Sequence, residues 1–158
     1  NYTLLMAELR AQLDVQGALD GRHYLLTMAA PAGPATFANV ELSLIHPYMD
    51  WINLMSYDFH GSWSPITNFN SPLFASSTDP TADPVVATSS NMNSAVQSYL
   101  SAGVPADKLC PGTAFYGRAW KGVPNVNNGL YQPHTGIPPG AWEPGLPWSY
   151  GDAGGRPG

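Results

Sequence analysis

The chain has little charge and almost no cysteine. Only 11% of its 158 residues are charged and only 6 are Lys or Arg, which gives a net charge of −5. We therefore expect no nucleic-acid partner and no anionic membrane surface as a partner. The single Cys110 cannot form an internal disulfide, so cysteine usage leaves the compartment open. No apolar run reaches the roughly 18 residues that cross a bilayer.

The sequence also lacks an initiator Met and a signal peptide. Asn1 leads almost directly into a helical pattern, and residues 154–158 carry no structural signal. We expect both ends to be cut from a longer protein. The missing targeting segment therefore does not indicate where the full-length protein is located.

Aromatic residues and turn formers are plentiful by contrast. Hydrophobic residues make up 44% of the chain, which is long enough for one domain with a core. The 5 Trp and 8 Tyr, with so few charges, are typical of proteins that bind neutral polar ligands by stacking and hydrogen bonding. The 16 Gly and 16 Pro predict long loops.

Apolar residues at helical spacing predict three helices. The first begins at Tyr2 with Asn1 as its cap and ends within residues 17–21. Its predicted buried stripe consists of Tyr2, Leu5, Met6, Leu9 and Leu13. A short helix within 37–45 and a further helix over 92–100 follow.

Three apolar runs of strand length alternate with these helices. They lie at 24–30, 51–57 and 109–115, and the first is apolar on both of its faces. Residues 61–90 are rich in Pro, Ser, Thr, Asn and Asp, which predicts a long functional loop. Alternating strands and helices indicate an α/β fold with a parallel sheet.

Polar and aromatic side chains follow the second and third strands directly. The pair Tyr57 and Asp58 follows one strand, and Tyr116 and Arg118 follow the next. No Gly-rich phosphate loop follows any strand, which argues against a nucleotide fold. Polar groups at the carboxyl ends of strands are typical of (β/α)8 barrels, but such barrels need about 250 residues. The chain is therefore predicted to be the middle of a barrel.

Five motifs, in order along the chain, resemble glycoside hydrolase family 18, which comprises the chitinases and their lectin-like relatives. They are AAPAG at 29–33, NLMSYDFHGSW at 53–63, NSPL at 70–73, GTAFYGR at 112–118 and AWEPG at 141–145. The resemblance implies that residues 1–120 hold about strands 5 to 7 of a (β/α)8 TIM barrel. Residues 121–158 would begin a small α+β insertion domain.

The family's Asp-x-x-Asp-x-Asp-x-Glu motif is absent. The chain contains only Glu8, Glu41 and Glu143, and none has that spacing. The resemblance therefore implies that the proton donor lies outside this chain. We expect no hydrolysis of chitin oligomers by the 158-residue chain alone, and poor solubility, because three barrel strands leave unpaired edges.

The resemblance also implies a mechanism for β-1,4 bonds between N-acetylglucosamine units, without a cofactor. The carbonyl oxygen of the substrate's own N-acetyl group attacks C1, and configuration is retained. Tyr57 would donate a hydrogen bond to that oxygen, and Asp58 would contact the sugar and tune the acid. Both can serve only where the strand is ending, because neighbours on a strand face opposite ways. Without the flanking motifs, this pair would be ordinary turn chemistry.

Six further residues are implied to bind chitin or N-acetylglucosamine oligomers: Met55, Trp63, Tyr116, Arg118, Trp142 and Glu143. Five of them have a plainer alternative: Met55 as core, Tyr116 and Arg118 as an ion-paired rim, Trp142 and Glu143 as core of the insertion. Trp63 on a polar loop is expected to stack on a sugar.

The histidines lack the clustered spacing of metal ligands, so no metal is expected. Cys110 in its apolar strand is predicted to be inert. The resemblance further implies a secreted protein that is monomeric at full length.

Two alternatives to an enzyme fragment stay open at this point. A lectin-like relative would bind chitin through the same cleft with the acid replaced, and an unrelated barrel hydrolase would not bind these oligomers.

Overall fold

A computed structural model describes residues 1–138 of the protein. Five α-helices and three strands alternate along this part of the chain. The strands are β1 (Thr27–Pro31), β2 (Trp51–Met55) and β3 (Leu109–Pro111). The helices are α1 (Tyr2–Asp20), α2 (Pro34–Phe37), α3 (Leu42–Ile45), α4 (Pro84–Ser89) and α5 (Met92–Ser101). Short 3-10 helices occupy His46–Tyr48, Ala106–Lys108 and Asn127–Gly129.

The three strands form one parallel sheet in the order β1-β2-β3. Ala30 lies opposite Leu54 in the first pair of strands, and Leu54 lies opposite Pro111 in the second. All three carboxyl ends consequently meet at one edge, as the alternation of strands and helices predicted.

One face of the sheet is buried beneath the helices. The side chains of Met28, Ala30, Ile52 and Leu54 are at most 7% exposed, and the central Tyr99 of α5 is fully buried. The Tyr99 hydroxyl donates a 2.7 Å hydrogen bond to the Pro31 carbonyl, and burial raises the pKa of Tyr99 to about 12. This contact anchors the carboxyl end of β1.

The other face of the sheet is open within residues 1–138. Ala29, Asn53 and Cys110 are exposed there. The first strand is apolar on both faces, but only one of its faces is covered within residues 1–138. The Cys110 thiol is exposed rather than enclosed in a core. Burial therefore gives no support to the prediction that this thiol is inert.

The first helix has its predicted extent but not its predicted details. It ends at Gly21, whose left-handed conformation (φ 69°) terminates α1. Asn1 occupies the predicted N-cap position, but its side chain makes no cap hydrogen bond. The stripe is only partly buried, since Met6 is 7% exposed whereas Tyr2 and Leu5 are 43% and 53% exposed.

The predicted loop at 61–90 contains a helix, and the predicted strands are too long. Asp83 caps α4 by accepting from the amide of Val85 at 2.9 Å, with Pro84 at its first position. The predicted strands 51–57 and 109–115 end at Met55 and Pro111, because the backbone after each turns to make loop contacts.

Candidate functional site

The chain that leaves β2 is fastened to the chain that leaves β3. The Gly112 amide donates to the Leu54 carbonyl at 2.8 Å, and the buried Ser56 hydroxyl donates to the Gly112 carbonyl at 2.7 Å. A side chain at position 112 would approach the Leu54 oxygen and the Tyr57 ring to 2.9 Å. Glycine at this position therefore lets the two segments carry their polar residues side by side.

Asp58 has a left-handed backbone with φ 59°, which few residues other than glycine adopt. Its amide donates a 2.9 Å hydrogen bond to the Asn70 side-chain oxygen. The strand β2 ends at Met55, so the alternation of side chains along a strand does not force Tyr57 and Asp58 onto opposite faces of the sheet. Both line one pocket, as the sequence required of a functional pair.

Three donors converge on one oxygen of Asp58. Tyr116 donates its hydroxyl to Oδ1 at 2.5 Å, and Arg118 approaches the same atom with Nη2 at 2.5 Å and Nε at 3.1 Å. The Arg118 side chain is only 4% exposed, whereas that of Asp58 is 38% exposed. Oδ2 accepts no hydrogen bond from residues 1–138, which leaves it available to a ligand.

The aromatic ring of Tyr116 connects this cluster to Tyr57. The two rings meet edge to face, with centroids 6.2 Å apart and an angle of 78° between their planes. Burial, followed by the hydrogen bond to Asp58, raises the pKa of Tyr116 to about 12. Its hydroxyl therefore remains a proton-bearing donor at neutral pH.

A pocket of about 310 Å³ lies beside the cluster, at the carboxyl ends of β1 and β2. Its walls combine apolar surface with the polar pair described above. The lining residues are Met55, Tyr57, Asp58, Phe59, Ser90 and Thr36, with residues 31–33. Met55 is half-buried, so it contributes to the pocket wall rather than to the core alone.

Trp63 lies beside the same cluster and is 54% exposed. The Arg118 guanidinium carbon lies 5.0 Å from the centre of the Trp63 ring, within cation–π range. A side chain at position 61 would approach the indole to 2.5 Å, so Gly61 is required for this packing. Trp120 holds the turn by donating its indole N–H to the Gly61 carbonyl at 3.3 Å.

His60 lies behind the cluster and is 4% exposed. Burial lowers its pKa, although the nearby Asp79 opposes the shift. Asp79 is held as a carboxylate by hydrogen bonds from Thr81 and from the Asn68 side chain, and its pKa is lowered despite partial burial. Within residues 1–138, no group of three or more His, Cys, Asp or Glu side chains is suited to a metal ion.

The structure thus brings together six of the eight predicted site residues: Met55, Tyr57, Asp58, Trp63, Tyr116 and Arg118. Trp142 and Glu143 lie outside the described residues. Sequence reasoning gave no role to Asn70 or Gly112, although each belongs to a motif that carries the family resemblance.

Comparison with known families decides the assignment. Residues 1–151 match the family described as Glycosyl hydrolases family 18. The chain belongs to this family. It is 45% identical over 146 residues to Chitinase A1 of Niallia circulans, covering 92% of this chain and 21% of that protein. It is 38% identical over 152 residues to Chitinase 1 of Aphanocladium album, covering 95% of this chain and 34% of that protein.

Solved structures agree with the family 18 assignment. The catalytic domain of the psychrophilic chitinase B from Arthrobacter TAD20 superposes with a TM-score of 0.80 at 34% identity, over 91% of this chain and 33% of that chain. The family 18 chain thus spans about a fifth to a third of the length of these relatives. No helix within residues 1–138 is long and apolar enough to cross a membrane.

Proposed function

We propose that this chain is the substrate-orienting part of a family 18 chitinase. The whole protein would hydrolyse β-1,4 bonds between N-acetylglucosamine units, with chitin or its oligomers as substrate. The observation that carries this proposal is the convergence of Tyr116 and Arg118 on Asp58, beside a pocket that Tyr57 also lines.

The proposed reaction is retaining and substrate-assisted, with the carbonyl oxygen of the N-acetyl group as nucleophile. Tyr57 is the proposed donor to that oxygen, since its hydroxyl makes no hydrogen bond within residues 1–138. Asp58 is the second catalytic residue, and its Oδ2 is available to the sugar at the cleavage point. Holding the acetamido group in one rotamer lowers the entropic cost of the attack.

The proposed sugar contacts surround this pair. Met55 provides an apolar pocket wall, and Trp63 offers a half-exposed indole for stacking. Tyr116 and Arg118 fix the direction of the Asp58 carboxylate at the edge of the same site. Trp142 and Glu143 remain proposals from the family motif.

The chain is proposed to supply strands 5 to 7 of a TIM barrel through residues 1–120, and the start of the α+β insertion through 121–158. The acid Glu would then come from elsewhere in the protein. The isolated 158-residue chain should leave a chromogenic chitobioside unhydrolysed, and measurable turnover would contradict this division. We further propose that the full-length protein is secreted and monomeric.

The test is an Asp58→Asn substitution in the full-length protein, assayed with N-acetylglucosamine oligomers. The loss of the carboxylate should lower kcat/KM by about 100-fold or more, in the range of other electrostatic contributions to catalysis. Asp83→Asn is the matched control, because Asp83 caps a surface helix and should leave kcat/KM unchanged. An equal rate for Asp58→Asn and wild type would refute the proposal, and binding without hydrolysis by wild type would favour a lectin-like protein.

A further inference from the structure

Asn70 is tied to both strand extensions that form the candidate site. Its side-chain oxygen accepts from the Asp58 amide at 2.9 Å, and its side-chain nitrogen donates to the Tyr116 carbonyl at 3.3 Å. Its own carbonyl accepts from the Phe59 amide at 3.1 Å. A single residue therefore joins the segment after β2 to the segment after β3.

The hydrogen bond from the Asp58 amide to Asn70 lies at the residue whose backbone has the unfavourable left-handed conformation. A non-glycine residue with φ 59° occupies a sparsely populated region, and such a conformation persists when its surroundings hold it. The Asn70 side chain satisfies the amide in this conformation, which would otherwise need water or another partner.

The Tyr116 bond acts on the other partner of the cluster. The Tyr116 hydroxyl reaches Asp58 Oδ1 at 2.5 Å, so a shift of the Tyr116 backbone would lengthen that contact. The Asn70 side chain forms hydrogen bonds with the backbones of both partners rather than with their side chains. Its role is to position them.

The loop that carries Asn70 is itself anchored. The Ser71 hydroxyl donates to the Ser56 carbonyl at 2.5 Å. The amides of Met92 and Asn93, at the start of α5, donate to the carbonyls of Pro72 and Leu73 at 2.9 and 3.0 Å. The side chain of Asn70 thus extends from a fixed support.

We propose that Asn70 is a positioning residue, which locks Asp58 and Tyr116 into the arrangement that the reaction requires. The inference rests on the proposed function, because it assigns a role within that reaction. It predicts that loss of the Asn70 side chain slows the chemical step more than it weakens substrate binding.

The test compares Asn70→Ala and Asn70→Asp in the full-length protein with N-acetylglucosamine oligomers. Asn70→Ala removes both bonds and should lower kcat by about 10- to 100-fold, with KM changed less than about 3-fold. Asn70→Asp has the same shape and keeps the acceptor for the Asp58 amide, but it places a carboxylate oxygen against the Tyr116 carbonyl in place of the donor. Its kcat should therefore also fall below that of wild type.

Hydrogen exchange of the Asp58 amide provides a readout that is independent of activity. The amide should exchange faster in Asn70→Ala and stay protected in Asn70→Asp, because only the second variant keeps its acceptor. Ser71→Ala removes one anchor of the loop but leaves the Asn70 acceptor in place, so it should raise the exchange rate less than Asn70→Ala does. Asn93→Ala, an exposed change on α5, should leave both kinetics and exchange unchanged.

Wild-type kcat in Asn70→Ala would overturn the inference, as would equal losses in Asn70→Ala and Ser71→Ala. These outcomes differ from failure of the proposed function, in which the wild-type protein itself does not hydrolyse the oligomers.

Discussion

Arg118 and Asp58 form an ion pair in which the cation is buried and the anion faces a pocket. Arg118 Nη2 lies 2.5 Å from Asp58 Oδ1, and the Arg118 side chain is 4% exposed. The pair was one of two alternatives for Arg118, the other being a direct contact with sugar. The structure shows the ion pair, and a contact of Arg118 with the sugar stays a prediction.

Replacing Arg118 should therefore reduce both stability and activity. Arg118→Ala removes two contacts to Asp58 and should lower the free energy of unfolding by about 1–2 kcal/mol, a modest value because Asp58 is partly exposed. Arg118→Lys keeps the charge but not the two-nitrogen approach, so it should recover only part of kcat/KM. Urea unfolding and steady-state kinetics of the full-length protein would measure these effects. Arg22→Ala, an exposed change after α1, is the control, and equal losses there would contradict the assignment.

Removal of the Tyr57 hydroxyl tests its role as a donor. Tyr57→Phe keeps the ring contact with Tyr116 but cannot donate a hydrogen bond. We expect kcat to fall by about 100-fold with little change in KM, because the hydroxyl holds the attacking acetamido oxygen in the direction of C1. Tyr48→Phe makes the same change in the 3-10 helix before β2 and should leave kcat at the wild-type value. A Tyr57→Phe enzyme of full activity would remove Tyr57 from the mechanism.

Gly112 allows the two site segments to approach each other closely. A methyl group there would press against the Leu54 carbonyl and the Tyr57 ring, both 2.9 Å away. Gly112→Ala should lower the free energy of unfolding by about 1–3 kcal/mol and also reduce activity, because Tyr57 must move. Thermal unfolding of this variant should be compared with that of Gly117→Ala, where the added methyl meets nothing within 4 Å. Equal melting temperatures would show that the contact is easily relieved.

His60 should make stability depend on pH. Its pKa is lowered in the folded protein by burial, so the unfolded chain binds the proton first as pH falls below about 6.5. Neutral His60 therefore contributes fully to the free energy of unfolding above that pH. This contribution is lost as pH falls from about 6.5 toward the pKa of His60 in the folded protein. Urea unfolding at pH 7.5 and 5 should show this decline in wild type and a smaller one in His60→Gln. Asp79→Asn should make the decline steeper, because Asp79 opposes the shift. The same decline in His60→Gln and wild type would exclude this source.

The sequence predicted the parallel sheet, and the family motifs identified the residues that meet at its carboxyl edge. Continuous apolar runs mark buried strands, but they do not mark where a strand ends. Ser56 is fully buried, yet it leaves the sheet to bind the Gly112 carbonyl. The sequence does contain a local signal for the start of α4, namely Asp83 followed by Pro84.

Long-range contacts account for the rest of what was missed. Asn70 lies 12 residues from Asp58 and 46 from Tyr116, and no periodicity or turn rule relates residues at such separations. The side-chain oxygen and nitrogen of Asn70 reach their partners because the sheet aligns β2 and β3. The exposure of Cys110 and Ala29 also depends on what covers the sheet rather than on their strands.

The central claim is that this site aims the substrate's own acetamido oxygen at C1. The direct measurement compares hydrolysis, by the full-length protein, of an N-acetylglucosamine tetramer and of the fully deacetylated tetramer of the same length. The account predicts ready cleavage of the first and no measurable cleavage of the second, which lacks the nucleophile. Comparable kcat values for the two tetramers would contradict it.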